Sequence, residues 1–272
     1  MLWYKELGFN NNPFSIKPAA FHNMVIGYDL NEIYDKISKS KVLFVEGRYG
    51  YGKTTILKHL IRHFGGRRQV AYYNCNRAET TIETRKILAG KYGIIGRMLN
   101  LLPEDMIFLL DEVEKLSKTD QTELLEYYNQ GKIKSVVFFG PSFEKVGFGV
   151  EFRKLLVDNV IELTKLTDAE AVDMVRRRIG DLKLLSDKII KEVFKNSEYN
   201  PRQMLENLED LCKYALENND DEITEQHLKK VLKIQKPARK KKPLPPPELK
   251  VEEVKQPDQP IPKDEEVEYF FY

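Results

Sequence analysis

Cysteine is scarce in this chain of 272 residues: there are only two, Cys75 and Cys212. They lie far apart and form no CxxC pair, which argues against a zinc knuckle or a disulfide framework. Two reduced, buried thiols are expected instead, as in an intracellular protein. Long apolar runs are also missing. None approaches the ~20 residues that a membrane-spanning helix needs, and the opening stretch MLWYKELGFNNNPF lacks the form of a signal peptide. A cytoplasmic location without a membrane partner is expected. No sign of charge predominates: 44 Lys+Arg face 42 Asp+Glu, so bulk charge gives no argument for nucleic acid, and only local patches could. No internal repeat is apparent. What the chain does have is 42% apolar residues, enough to bury a core.

Composition divides the chain into three regions. In residues 1–165, short apolar runs alternate with helix-length stretches. The runs are Lys41–Glu46, Gln69–Asn74, Met106–Leu110, Ser135–Phe139 and Asn159–Leu163. They are β-branched or aromatic and nearly continuous in apolar character, as strands buried on both faces of a parallel sheet are. Helices are expected over Lys53–Phe64, Thr80–Leu88, Lys118–Gln130 and Val150–Leu156. Such alternation predicts an α/β fold with a mostly parallel sheet. Residues 166–235 read as a small helical domain. Thr167 and Glu170 have the spacing of a capping box, and Val172, Val175 and Ile179 follow at helical spacing. Further helical patterns cover Ser186–Phe194, Pro201–Leu216 and Thr224–Leu232. The run Arg176–Arg178 reads as a solvated helix face. Residues 236–272 are rich in Pro and Lys, a composition that cannot bury enough surface to offset chain entropy, so a disordered tail is expected.

The strongest chemical signal is Gly47-Arg-Tyr-Gly50-Tyr-Gly52-Lys53-Thr54. It fits GxxxxGK[ST] and stands between an apolar strand and a helix, where a phosphate-binding loop belongs. Glycines let backbone N–H groups converge on an anion, and the following helix points its N-terminal dipole at the same place. Lys53 is expected on the β- and γ-phosphates, Thr54 on Mg²⁺, and Thr55 beside them. The run Met106–Leu110 ends in Asp111-Glu112. An apolar strand that ends in adjacent acids sets a carboxylate at the strand tip, where Asp111 can hold Mg²⁺ and Glu112 can activate the attacking water. ATP and Mg²⁺ are therefore the expected ligands, and ATP hydrolysis is the expected activity.

These residues resemble the AAA+ ATPases, and among them the archaeal replication-initiator (origin-recognition) proteins and related secretion- and transposition-type ATPases. The resemblance runs over roughly residues 8–232. Leu7-Gly-Phe-Asn-Asn-Asn-Pro-Phe14 is similar to the family's opening segment, and Val25-Ile26-Gly-Tyr28 to the segment that lines the adenine pocket. Tyr72–Cys75 resembles the ending of the initiator group's second strand, and Asp111–Leu116 is similar to its Asp-Glu-x-Asp-x-Leu stretch, with Glu114 in place of Asp. The resemblance implies three more site residues: Ser142 as a polar sensor after the fourth strand, Arg153 as a finger on a neighbouring subunit's γ-phosphate, and Arg202 of Asn200-Pro-Arg as the lid's γ-phosphate sensor. A finger implies a homo-oligomer or an AAA+ partner. The winged-helix DNA-binding domain that usually follows the lid in initiators has no counterpart in the tail, so DNA would be met through the lid, the basic run Arg239–Lys242 or partners.

The last nine residues, DEEVEYFFY, admit three readings. Val267, Phe270 and Phe271 have the spacing of a sliding-clamp peptide, in which one helical turn presents i, i+3 and i+4 to a single pocket. The aromatics could instead dock on a proteasome-like ring, or fold back on the chain's own surface. The leading expectation is an initiator- or loader-like accessory ATPase in DNA replication or recombination, tethered by this tail. The alternative is a ring-forming remodeller or unfoldase, for which Tyr92-Gly-Ile-Ile95 is the only pore-loop candidate.

Overall fold

The computed structural model describes residues 2–17, 25–65, 70–76, 81–91 and 102–235. The tail, with Arg239–Lys242, Val267, Phe270 and Phe271, and the stretch Tyr92–Ile95 lie outside the described residues. Five strands form one sheet: β1 (Leu43–Glu46), β2 (Val70–Asn74), β3 (Met106–Asp111), β4 (Ile133–Gly140) and β5 (Val160–Glu162). The order is β2-β3-β4-β1-β5, and every neighbouring pair is parallel. The expected strands are therefore found, in an α/β fold of P-loop type.

Side chains alternate across this sheet as the period of two requires. Phe44, Ala71, Phe108, Leu110, Val136 and Phe138 point to one face. There they meet Leu88 of α4 (Thr84–Gly90), Leu124 of α5 (Lys118–Asn129), and Phe152 and Leu156 of α6 (Val150–Leu156). Leu43, Val45, Ile107, Leu109, Val137 and Phe139 point to the other face. They pack on Ile33 and Ile37 of α2 (Leu30–Ser38) and on Ile56, Leu57 and Leu60 of α3 (Lys53–Gly65). With both faces covered, β3 is buried along its whole length.

Two features of the fold depart from the sequence reading. Helix α2 was not anticipated, although Asp29 accepts the Asn31 amide hydrogen at 2.8 Å as its cap and Ile33 and Ile37 form its buried stripe. Helix α4 begins at Thr84 rather than near Thr80, because the Ile82 amide donates to the buried Asp120 carboxylate at 2.7 Å and holds the entry out of the helix.

After the sheet come α7 (Asp168–Ile179), α8 (Asp187–Asn196), α9 (Pro201–Glu217) and α10 (Glu225–Gln235). The capping box is present: Thr167 accepts from the Glu170 amide, and the Glu170 carboxylate accepts from the Thr167 amide. These helices share a cluster built from Val175, Ile190, Phe194, Met204, Leu208 and Leu211. The N-terminal segment joins this cluster and neither sheet face. Phe14 is fully buried in it, and Trp3 of the short helix α1 (Trp3–Glu6) stacks on the Phe14 ring at 6.0 Å. Asn12 donates to Glu209 of α9 at 2.8 Å and accepts from the Phe14 amide at 2.9 Å.

Phe14→Ala should therefore destabilise the helical cluster by about 3–5 kcal/mol, the usual result of emptying a buried aromatic site. Thermal unfolding, with limited proteolysis of the N-terminal segment, measures it. An unchanged melting temperature would mean that this segment does not anchor on the helices.

Candidate functional site

Because all five strands run the same way, their C-terminal ends meet at one edge, where α/β sheets bind ligands. β1 leads there into Gly47–Gly52, and α3 starts at Lys53. Gly50 and Gly52 have φ of +90° and +94°, in the left-handed region that side chains resist. At Gly50 space is also closed, since a Cβ would lie 2.2 Å from Asn200 Oδ1. Lys53 folds back along the loop, and its ammonium donates to the carbonyls of Gly47 at 2.5 Å and Arg48 at 3.2 Å. Burial holds its pKa below the ordinary lysine value, against the opposing pull of Asp111, Glu114 and Glu112.

Asp111 ends β3, is 4% exposed, and pairs in register with Asn74 of β2. Its Oδ2 accepts from the Thr54 hydroxyl at 3.4 Å, and its Oδ1 accepts from the Glu112 amide at 3.0 Å. Burial pushes its carboxyl pKa upward, and the Glu112 charge adds to this, while the Glu112 amide, Lys53 and Thr54 counteract. Glu112 has φ +54° and ψ +46°, a left-handed conformation uncommon for a residue with a side chain. It turns the chain out of the strand into the 3₁₀ turn Val113–Lys115 and leaves Glu112 exposed at the mouth of the site. Strained backbone of this kind concentrates at functional positions.

A cavity of about 520 Å³ joins these groups. Gly50, Gly52, Lys53, Thr54, Thr55, Asp111 and Glu112 line one end of it. Val25, Ile26, Tyr28, Ile16 and Leu166 add apolar wall, and Met174, Arg178, Arg202 and Leu205 come from the helices. Tyr28 ties three segments together, because its hydroxyl lies 2.8 Å from the Tyr51 carbonyl and 3.0 Å from that of Thr164. Burial, followed by the neighbouring Tyr51 and Glu170, raises its pKa. Asn200 caps α9 by accepting from the amides of Arg202 and Gln203 at 3.0 and 3.3 Å, while its Nδ2 donates to the Tyr49 carbonyl of the loop at 2.8 Å.

The residues singled out in the sequence divide into two groups. Those of the loop, the strand tip, the Val25–Tyr28 segment and Arg202 meet at the cavity, although Gly47 lies behind its wall against Leu163. Ser142 and Arg153 are not among the lining residues. Ser142 precedes the 3₁₀ turn Phe143–Lys145, whose first amide donates to Glu46 at 2.8 Å. Arg153 donates to the Phe148 carbonyl at 3.2 Å, with its guanidinium 5.8 Å from the Phe143 ring centre. The reading of Arg176–Arg178 as a solvated face needs correction. Arg178 lines the cavity and donates to the carbonyls of Pro13 and Ser15 at 3.3 and 3.2 Å. Burial lowers its pKa to about 10. Arg176 clasps the turn after its own helix, donating to Asp187 and to the Leu185 carbonyl. The buried Met174 and Val175 stand one helical turn before Arg178, so periodicity puts it on the inner side of the helix; its bond to a segment so distant in sequence leaves no local signal.

Comparison with known proteins agrees with this geometry. Residues 39–146 match the family model described as an AAA domain. Among solved structures, the fold is similar to Aeropyrum pernix Orc1 in complex with DNA, with TM-score 0.59 and 15% identity over 78% of this chain and 66% of that one. It is also similar to the Thermotoga maritima RuvB Holliday junction branch migration motor (0.56, 16%, covering 77% and 70%) and to Cdc6p from Pyrobaculum aerophilum (0.57, 14%, covering 82% and 70%). At such identities the likeness is one of fold. An uncharacterized Thermotoga maritima protein is 25% identical over 171 residues, 62% of this chain but 26% of that protein. The match thus spans about a quarter of that relative's length. Residues 39–146 thus match an AAA domain, and the α/β P-loop fold around them is similar to that of the Orc1 and Cdc6p structures. The loop, Asp111, Glu112 and Ser142 lie inside the matched residues 39–146; Arg153 and Arg202 lie outside. Among the described residues, no helix is long and apolar enough to cross a membrane.

Asp111→Asn isolates the charge at the strand tip. The amide keeps an acceptor for Thr54 or Glu112 and removes a carboxylate whose ionised form burial disfavours. The melting temperature should stay equal or rise, while any Mg²⁺-dependence of nucleotide binding should be lost. A variant that melts well below wild type would show the carboxylate to be a structural group.

Proposed function

We propose that the cavity binds ATP with Mg²⁺ and that the chain hydrolyses the terminal phosphate. The observation that carries this is the meeting of Lys53, Thr54 and Asp111 beside a loop of positive-φ glycines at the start of α3. The donors suit Mg²⁺. Among the described residues there is no cluster of three His, Cys, Asp or Glu side chains that could hold a metal by itself, and Mg²⁺ favours a carboxylate, a hydroxyl, waters and substrate phosphates over an all-protein cage. Thr54 and Asp111 would hold it, and when bound it neutralises charge on the phosphate oxygens.

Most of the remaining roles belong to groups on the cavity. The loop amides and Lys53 bind and orient the β- and γ-phosphates. Val25, Ile26 and Tyr28 give the base an apolar wall. Glu112 orients a water for in-line attack on the γ-phosphorus and takes its proton as the bond to the β–γ bridging oxygen breaks and ADP leaves. Arg202, which reaches the cavity from α9, reads the γ-phosphate and transmits its loss to residues 166–235, which with the N-terminal segment packed on them act as a lid on the sheet of β1–β5. Arg153, half exposed on α6, would serve a neighbouring subunit in an oligomer, and Ser142 would act only after a shift of the β4–α6 connection. In the cell we place the protein in the cytoplasm, as an initiator- or loader-like factor of DNA replication or recombination. The likeness to an Orc1 in complex with DNA supports that process; tethering to a sliding clamp through Val267, Phe270 and Phe271 rests on residue spacing alone.

Purified protein should retain ATP in the presence of Mg²⁺, and Lys53→Ala should lose that retention. Glu112→Gln should still bind but turn over about 10²–10⁴-fold more slowly. Equal nucleotide retention by the lysine variant would remove the site, and normal turnover by the glutamine variant would remove the water activator.

A further inference from the structure

Tyr49 occupies a variable position of the phosphate loop and is 69% exposed, one of few large hydrophobic side chains left so open among the described residues. It is nonetheless engaged from the helical side. The guanidinium carbon of Arg202 stands 4.8 Å from its ring centre, within the range of a cation–π contact. Its carbonyl accepts from Asn200 at 2.8 Å, and the next residue, Gly50, is pressed against the same asparagine. Two residues of the α9 start therefore seize two consecutive loop residues. Arg202 is also held along its own helix, where its Nε lies 3.5 Å from Glu206 Oε1.

We propose that Tyr49 is a positioning residue: its ring is the platform that holds the Arg202 guanidinium over the phosphate loop in the orientation needed to distinguish ATP from ADP. The inference rests on the reading of Arg202 as the γ-phosphate sensor. Stacking engages the flat face of a guanidinium and leaves its N–H donors free in the plane. Glu206 takes the Nε edge, so the two terminal nitrogens remain for a phosphate oxygen. Arginine carries large rotamer entropy, and fixing it in advance reduces what is lost on binding. The loop backbone that would cradle the phosphates carries the platform, so ring, sensor and ligand are set in one frame. Tyr49 belongs to none of the three buried clusters, so its replacement leaves the fold intact.

The test is the ratio of ADP to ATP dissociation constants with Mg²⁺, measured by calorimetry on the full chain as wild type, Tyr49→Ala, Tyr49→Phe, Arg202→Ala and the Y49A/R202A double variant. Tyr49→Ala should lower the preference for ATP about fivefold, the worth of an exposed cation–π contact of about 1 kcal/mol. Tyr49→Phe should restore it, since the ring and not the hydroxyl is used. In the Arg202→Ala background, loss of the ring should change the ratio no further. A wild-type ratio in Tyr49→Ala, an increased preference for ATP, or an equal drop with and without Arg202 would each overturn the platform. An Arg202→Ala protein with unaltered preference would overturn both sensor and platform while leaving the nucleotide site standing. Failure of the wild type to bind either nucleotide would remove the nucleotide site itself.

Discussion

Parallel strand direction is the constraint on which the site depends. A parallel sheet sends every chain out of the same edge. The ends of β1 and β3 are therefore brought near each other although their residues are far apart in sequence, with β4 lying between them. The burial of Phe44, Phe108, Leu109 and Val137 on the two faces fixes strand register, because a one-residue slip would turn each strand's apolar side chains to the opposite face. Register in turn sets the Thr54 hydroxyl within 3.4 Å of Asp111. The geometry of the polar site thus follows from the packing of an apolar core.

The second component of the site comes from the helices. A helix N-terminus leaves several amides without an intrahelical acceptor, and an asparagine cap typically contributes about 1 kcal/mol by satisfying them. Asn200 does this with its oxygen and uses its nitrogen on the Tyr49 carbonyl. One side chain thereby completes a helix and docks it on the phosphate loop. The N-terminal segment packs on the same helices, since Phe14 lies in the helical cluster and Arg178 of α7 donates to the carbonyls of Pro13 and Ser15. Rotation of the helices against the sheet would carry Ile16 and Arg202 across the cavity together, so one motion would alter both its apolar wall and its basic end.

The strands and most helices were legible in sequence because their signals are local. Near-continuous β-branched runs marked β1 to β5, and glycine spacing before Lys53-Thr54 marked the loop. Thr167 and Glu170 marked the start of α7, and Asn200-Pro201 the start of α9. Apart from α2, whose cap and apolar stripe are local, what escaped depended on contacts between distant segments. Nothing near Asp120 shows that it holds the Ile82 amide and delays α4. Nothing near Arg178 shows that its partners are carbonyls about 165 positions away or that it lines a cavity. Residues singled out through resemblance differ in placement for the same reason. Arg202 is fixed by a helix cap written in the sequence and reaches the cavity, whereas Ser142 and Arg153 sit where connections of this chain's own length and packing put them.

The electrostatics of Lys53 and Asp111 bear on how a ligand would be held. Burial shifts both groups toward neutrality, lowering the Lys53 pKa and raising that of Asp111. Each partly offsets the other's shift. A triphosphate beside Lys53 favours its ammonium, and a divalent cation beside Asp111 favours its carboxylate. Each ligand alone would leave one buried charge poorly compensated, and both together compensate both. Nucleotide and metal are therefore expected to bind cooperatively at this site. The coupling arises from desolvation of two side chains and needs no change of shape.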